Sequence, residues 1–151
     1  MSDNWIEIVP QDPDFVPALE TQNRAKAYFE KIAPNADEVT ITAGDTIKFF
    51  DCGANFQSIH CPECASEIDM DWWGQEMSQA TQDDGFILEE ILTPCCHVAS
   101  TLNNLLYDWP QAFGRFCISA MNPDIGTLTD NTVAQFEAVL GCRITVVYQH
   151  I

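Results

Sequence analysis

Cys61-Pro62-Glu63-Cys64 and, thirty residues further on, Cys95-Cys96-His97 decide how the middle of this chain folds. The first stretch is a C-x2-C turn. The second offers two adjacent thiols and an imidazole. A tight C-x2-C loop aims both sulfurs at one point and leaves backbone N–H groups free to donate to thiolates. That suits Zn²⁺, which takes four tetrahedral ligands drawn from thiolate and imidazole. We read the two stretches as halves of one zinc site, the second half being Thr93-Pro94-Cys95-Cys96. Ordinary buried thiols are the competing explanation, but a C-P-x-C stretch with a P-C-C partner is hard to account for as packing.

Cys61, Cys64, Cys95 and Cys96 are the expected ligands, because closed structural sites favour thiolate. His97 is the alternative fourth ligand, since residues two apart in an extended segment point to the same side. His60 is a more distant candidate. A catalytic zinc usually keeps three protein ligands and an open position. Four sulfurs close the site, so the zinc is expected to be structural, contributing on the order of 10 kcal/mol to the folding of a small module. A redox dithiol is a weaker reading of C-P-x-C, because that motif normally opens a helix and has no second cysteine pair. Cys96 and His97 make a poor nucleophile and base, since such partners are rarely sequence neighbours. Cys52, Cys117 and Cys142 lie in or beside strand patterns and are expected in the core.

Residues 60 to 97 resemble a zinc ribbon, in which two such turns at hairpin tips grip one ion. The second half departs from the pattern: its cysteines are adjacent, and Ala65 and His97 stand where glycine often follows each pair. C-P-x-C followed by Trp72-Trp73, P-C-C, Trp109-Pro110 and a terminal strand is similar to small bacterial proteins with a zinc-ribbon-like centre. The resemblance implies fold and metal but no activity.

The chain has 151 residues, enough for a single domain that buries roughly 70% of its unfolded surface. It carries 23 acids against 6 bases, a net charge of −17. Nucleic acid and anionic membrane are poor partners for such a chain, and a cationic protein is a good one. The start, Met1-Ser2-Asp3-Asn4-Trp5, is not a signal peptide, and no apolar run approaches a bilayer span. The expectation is cytoplasmic, with the cysteines kept as thiols or metal ligands.

Strand patterns occur at Trp5–Val9, Glu38–Thr42, Thr46–Phe50 (returning from a turn at Ala43-Gly44-Asp45), Phe56–His60, Phe86–Leu92, Arg115–Met121 and Arg143–Ile151. Helical spacing predicts a first helix capped by Asp14 with Phe15, Leu19, Gln22, Ala25, Phe29 and Ile32 inward, and a second over Ile68–Ala80 that buries one of its two tryptophans. It predicts a third over Thr101–Trp109, and a last one capped by Thr129 or Asn131, with Val133, Phe136, Val139 and Leu140 inward and Gly141 beyond its end. No internal repeat is evident. The order β-α-β-β, cysteine segment, β-α-β predicts an α+β fold. Its expected form is a ferredoxin-like or related two-layer sandwich, residues 52 to 110 being a zinc-ribbon-like insertion.

Between Lys48 and Arg115 there is no Lys or Arg but eleven acids, so this interval, which contains the insertion, carries −11 of the −17. Glu63, Glu67, Asp69, Asp71, Glu76, Asp83 and Asp84 are the expected partner-binding residues. With no nucleotide loop in the sequence, the function read from these features is a non-enzymatic, zinc-stabilised interaction protein for a basic partner. One form is an immunity or inhibitor protein for a nuclease toxin. A zinc- or thiol-dependent hydrolase or redox enzyme is the alternative.

Overall fold

The alternation of W-I-E-I-V makes β1 (Asn4–Pro10), and the terminal R-I-T-V-V-Y-Q-H stretch supplies β10 (Ile144–His150). A computed structural model describes residues 2–151. Between these strands come α1 (Leu19–Ile32), β2 (Glu38–Phe50), β9 (Ala112–Met121) and α3 (Asp130–Leu140). β1 pairs antiparallel with both β10 and β9, and β9 pairs antiparallel with β2. Each helix therefore joins two strands that flank a third. The fold is mixed α and β, with a mostly antiparallel sheet and three helices.

One face of the sheet belongs to α1 and α3. Ile6 and Ile8 of β1, with Phe116, Ile118 and Ala120 of β9, pack against Ala25 and Phe29 of α1 and Phe136 and Leu140 of α3. Phe136 takes edge-on contacts from Tyr28 and Phe29, with ring centroids 4.9 and 5.1 Å away. Thr129 caps α3 by accepting from the Thr132 N–H, and Gly141 ends it at φ +74°, a left-handed position that glycine takes without a Cβ penalty.

α1 starts later than its apolar spacing predicts. Val16 precedes Pro17, and a residue before proline is driven out of helical geometry. The first turn therefore begins at Leu19, which is exposed, and Ala18 offers no side-chain cap. The Gln22 side chain donates to the Pro17 carbonyl at 2.8 Å and ties down the entry. Asp14 stays in the loop, its N–H donating to the Asp12 carboxylate.

β2 is one strand of thirteen residues, where a turn at Ala43-Gly44-Asp45 is expected. Both of its halves pair with β9, and between Ala43 and Lys48 five steps along β2 match two along β9. The surplus makes a bulge, which bends the ribbon. Arg115 holds it, donating to the Gly44 carbonyl at 2.9 Å and lying 3.6 Å from the Asp45 carboxylate. Beyond the bend the ribbon folds back over the sheet face opposite the helices. There Val9, Cys117 and Val147 form one cluster with Cys52 and Ala112, bordered by Phe50, Phe56 and Trp109. Gly114 rides on Val9, where an added Cβ would lie 3.0 Å from Val9 Cγ1. Gly53, at φ +61°, meets β10 so closely that a Cβ would lie 2.4 Å from the His150 carbonyl oxygen.

The chain between β2 and β9 builds its own layer. β3 (Ser58–His60) pairs with β8 (Leu106–Asp108). α2 (Met70–Ala80) follows Ile68, and the hairpin of β4 (Thr81–Gln82) and β5 (Gly85–Phe86) extends the main sheet past β2. β6 (Ile91–Leu92) pairs with β7 (Ala99–Ser100). The strand expected over 86–92 is thus two short strands. The helix expected over Thr101–Trp109 is a single 3-10 turn, Leu102–Asn104, followed by β8. Pairing with β3 overrides the helical spacing there, with Leu102 and Leu105 buried and Leu106 half exposed. Trp72 and Trp73 are both half-buried. Trp73 donates to the Tyr107 hydroxyl at 3.1 Å, and that hydroxyl donates to the Leu102 carbonyl at 2.6 Å. Ile59, Cys61, Ile68, Tyr107 and Phe113 form the centre of this layer. No helix is long and apolar enough to cross a membrane among the described residues.

Glu7 points away from α1 and α3 and is buried by the folded-back layer. Burial pushes its carboxyl from 4.5 up to about 7, against a contact from the Cys117 thiol at 3.6 Å and with the nearby Asp51 charge adding to the rise. An acid with a raised folded pKa stabilises the fold fully below its unfolded value, and that contribution is lost as pH rises through the folded one. Glu7→Gln is therefore expected to stabilise the protein increasingly between pH 4.5 and about 7, by up to about 3 kcal/mol, and by a constant amount above. Urea midpoints of both proteins across that range check this; parallel curves would refute it.

Candidate metal centre

Two hairpin tips meet at one edge of the inserted layer. In the first, β3 runs into Cys61, and the chain returns with Glu67 bridged to His60. The Ala65 N–H donates to the Cys61 carbonyl at 3.0 Å, and the Cys61 N–H to the Ser66 carbonyl at 2.9 Å. In the second, β6 runs into Thr93. The His97 N–H donates to the Thr93 carbonyl at 3.0 Å, and the Thr93 N–H to the Val98 carbonyl at 3.0 Å. The bonds match one for one at an offset of 32 positions, and Leu92 pairs with Ala99 as His60 does with Glu67.

Residues 59–68 and 91–100 are thus a repeated unit that the spacing of cysteines hides. Of ten aligned positions only Ile59/Ile91, Pro62/Pro94 and Cys64/Cys96 are identical. The proline at the second place of each turn was the signal available in the sequence. Cys61 aligns with Thr93, and Glu63 aligns with Cys95. The second turn has lost a thiol at its first place and gained one two residues later.

The Sγ atoms of Cys61, Cys64, Cys95 and Cys96 all lie within 4.8 Å of one another, a group that could hold a metal ion. Cys64 and Cys95 are 3.4 Å apart and Cys61 and Cys96 are 3.7 Å apart. Cys61 is fully buried against Ile59 and Ile68, whereas the other three are exposed. No histidine joins the group. His97 is exposed and sits at φ +57° in the turn position that Ala65 takes at φ +61°. His60 lies on β3, short of the turn.

Backbone donors tune the thiols. The Cys64 N–H, opposed by burial and joined by the Glu63 N–H at 3.4 Å and by the Cys95 and Cys96 thiols, holds Cys61 down at about 6. Ser66, through its hydroxyl at 3.3 Å and its backbone, lowers Cys64. Burial, then the neighbouring Cys64, pushes Cys95 up to about 11. Thr93 is fully buried in the place of the missing thiol. Its hydroxyl accepts from the Val98 N–H at 3.1 Å and lies 3.6 Å from Cys96 Sγ.

Cys52, Cys117 and Cys142 are apart from this group. Cys52 and Cys117 are buried behind the sheet, and Cys142 packs at the rim of the helix-side core. None of the seven cysteines is in a disulfide.

The acids singled out in the sequence are spread along the same segment. Glu63 lies within the first turn and Glu67 follows it, both exposed, and Asp71 is exposed on α2. Asp69 caps α2, its carboxylate accepting from the Asp71 N–H at 3.3 Å. Glu76 is half-buried on α2. Asp83 turns the β4–β5 hairpin at φ +53°. Asp84 lies 3.5 Å from the Lys48 ammonium.

Serine in place of any one of the four cysteines is expected to abolish bound metal and unfold both tips, read by elemental analysis and near-UV circular dichroism. His97→Gly is expected to keep the metal and to stabilise the protein by about 1 kcal/mol, by relieving a left-handed position; loss of metal in that variant would make His97 a ligand. Compared with protein-family models, with curated proteins and with solved structures, the chain finds no match.

Proposed function

We propose that this protein is a non-enzymatic interaction module, clamped by a structural zinc ion and docking a basic partner protein through the segment between β2 and β9. Zinc suits the donor set. Zn–S bonds of about 2.3 Å in a tetrahedron put sulfurs about 3.8 Å apart, close to the 3.4 and 3.7 Å separations here. Four thiolates fill a tetrahedron and leave no position for substrate, so the ion acts as a fold constraint. The strand order β10-β1-β9-β2, with each helix crossing over one strand on the same face, supports a ferredoxin-like core. In it, residues 52 to 110 are a zinc-ribbon-like insertion within a single domain. Seven cysteines outside any disulfide suit the cytoplasm.

The observation that carries this reading is the coincidence of clamp and charge. The stretch whose two tips the four thiols bring together is the stretch that has eleven acids and no Lys or Arg. Glu63, Glu67, Asp71, Asp83, Glu89 and Glu90 are exposed on it, and among the described residues only Asp84 of its acids has an ion-pair partner. Such a surface speeds association with a cationic protein and rejects nucleic acid and anionic lipid. A cover for the cationic site of a nuclease toxin is one form this partnership takes.

The protein as isolated is expected to contain about one zinc per chain. Used as bait, it is expected to retain basic proteins at about 0.1 M salt and to release them towards 1 M, where screening shortens to about 3 Å. Replacing Glu63, Glu67, Asp71 and Asp83 together by their amides is expected to weaken that retention. Retention that ignores both salt and these replacements would refute the reading.

A further inference from the structure

Beside the second turn, a groove of about 490 Å³ runs between α2, β4 and β6. Large apolar side chains left in water line it: Leu92 is 60% exposed and Ile87 is 48% exposed, next to half-buried Ile91. Glu76, Glu89 and Glu90 line it too, and no basic residue does among the described residues. Two strand edges border it. β4 is the last strand of the six-stranded sheet, and β6 has β7 as its sole strand partner. The backbone that joins β5 to β6, 87–90, has no regular structure.

We infer that this groove takes an extended segment of a partner protein in which large aliphatic residues alternate with Lys or Arg. The inference deepens the proposed function and rests on it, by assigning the place and the shape of contact. An edge strand presents unpaired N–H and C=O groups, and an incoming strand satisfies them while alternate side chains enter pockets. Period-two alternation puts one set of side chains on Ile87 and Leu92 and turns the other towards the rim. With three carboxylates lining the groove, that second set is cationic. A polyamine matches the charge but leaves Ile87 and Leu92 in water, and an anionic surface is repelled. β6 enters the groove directly from Thr93, so the metal centre fixes the position of one edge.

The probe is a fluorescein-labelled ten-residue peptide alternating Lys and Val, titrated against the zinc-loaded full chain by fluorescence anisotropy. The comparison peptide has the same composition rearranged to helical spacing. The alternating peptide is expected to bind at least about tenfold more tightly than the rearranged one, and the Ile87→Ser/Leu92→Ser and Glu89→Gln/Glu90→Gln double variants to weaken it by about tenfold or more. All four positions are exposed, and unchanged zinc content and circular dichroism verify the fold. The Glu20→Gln/Glu30→Gln variant, at exposed positions of α1 outside the acidic segment, is expected to change binding less than about threefold. Equal binding of the two peptides, no binding by the wild type, or insensitivity to both groove variants would each overturn the inference. Insensitivity at the groove combined with loss in Glu63→Gln/Glu67→Gln would overturn it while leaving the acidic interaction module standing. Salt-independent retention of partners by the bait would instead remove the proposed function itself.

Discussion

A sheet that carries apolar side chains on both faces has to be covered twice, and this chain covers its second face with itself. The helices α1 and α3 take one side. Val9, Cys117 and Val147 on the other side are buried by the ribbon of β2 and β9, which bends at the bulge after Ala43 and folds back. The bend sets everything that follows. It brings Gly114 down onto Val9 and lets Gly53 meet the end of β10. It starts the 51–111 segment beneath the sheet, where Phe49 and Phe113, with ring centroids 4.7 Å apart, begin a new core. It also traps Glu7, the one acid buried behind β1.

The new core is thin. α2 has no fully buried residue, and its strands are two or three residues long. Short strands are marginal without further constraint. The constraint here comes from two sources of different kinds. One is the aromatic cluster in which Trp73 links Phe49, Phe56 and Tyr107. The other is the convergence of four sulfurs from two hairpin tips. The tips are otherwise open to water: of residues 61 to 67 only Cys61 is buried, and of residues 93 to 97 only Thr93.

The outer frame was legible because its signals are local. W-I-E-I-V alternates, Thr129 and Gly141 bracket an apolar stripe, and the terminal strand alternates again. The thiol group was legible from residue chemistry and spacing. What the sequence concealed was decided at a distance. The bulge at Ala43-Gly44-Asp45 looks like a turn until Arg115, seventy residues later, is brought to it. Thr101–Trp109 has helical spacing, yet its last residues pair with β3. Glu7 alternates as an exposed residue does and is covered by chain that arrives much later. The repeat of 59–68 in 91–100 is written in backbone hydrogen bonds, with three identical side chains to mark it.

The thiol group is also lopsided. Cys61 is sealed in the core and Cys64, Cys95 and Cys96 stand in water. A metal ion held there has one jaw fixed and three loose. Competing thiols or chelators in water would thus meet three of its four sulfurs and never the fourth.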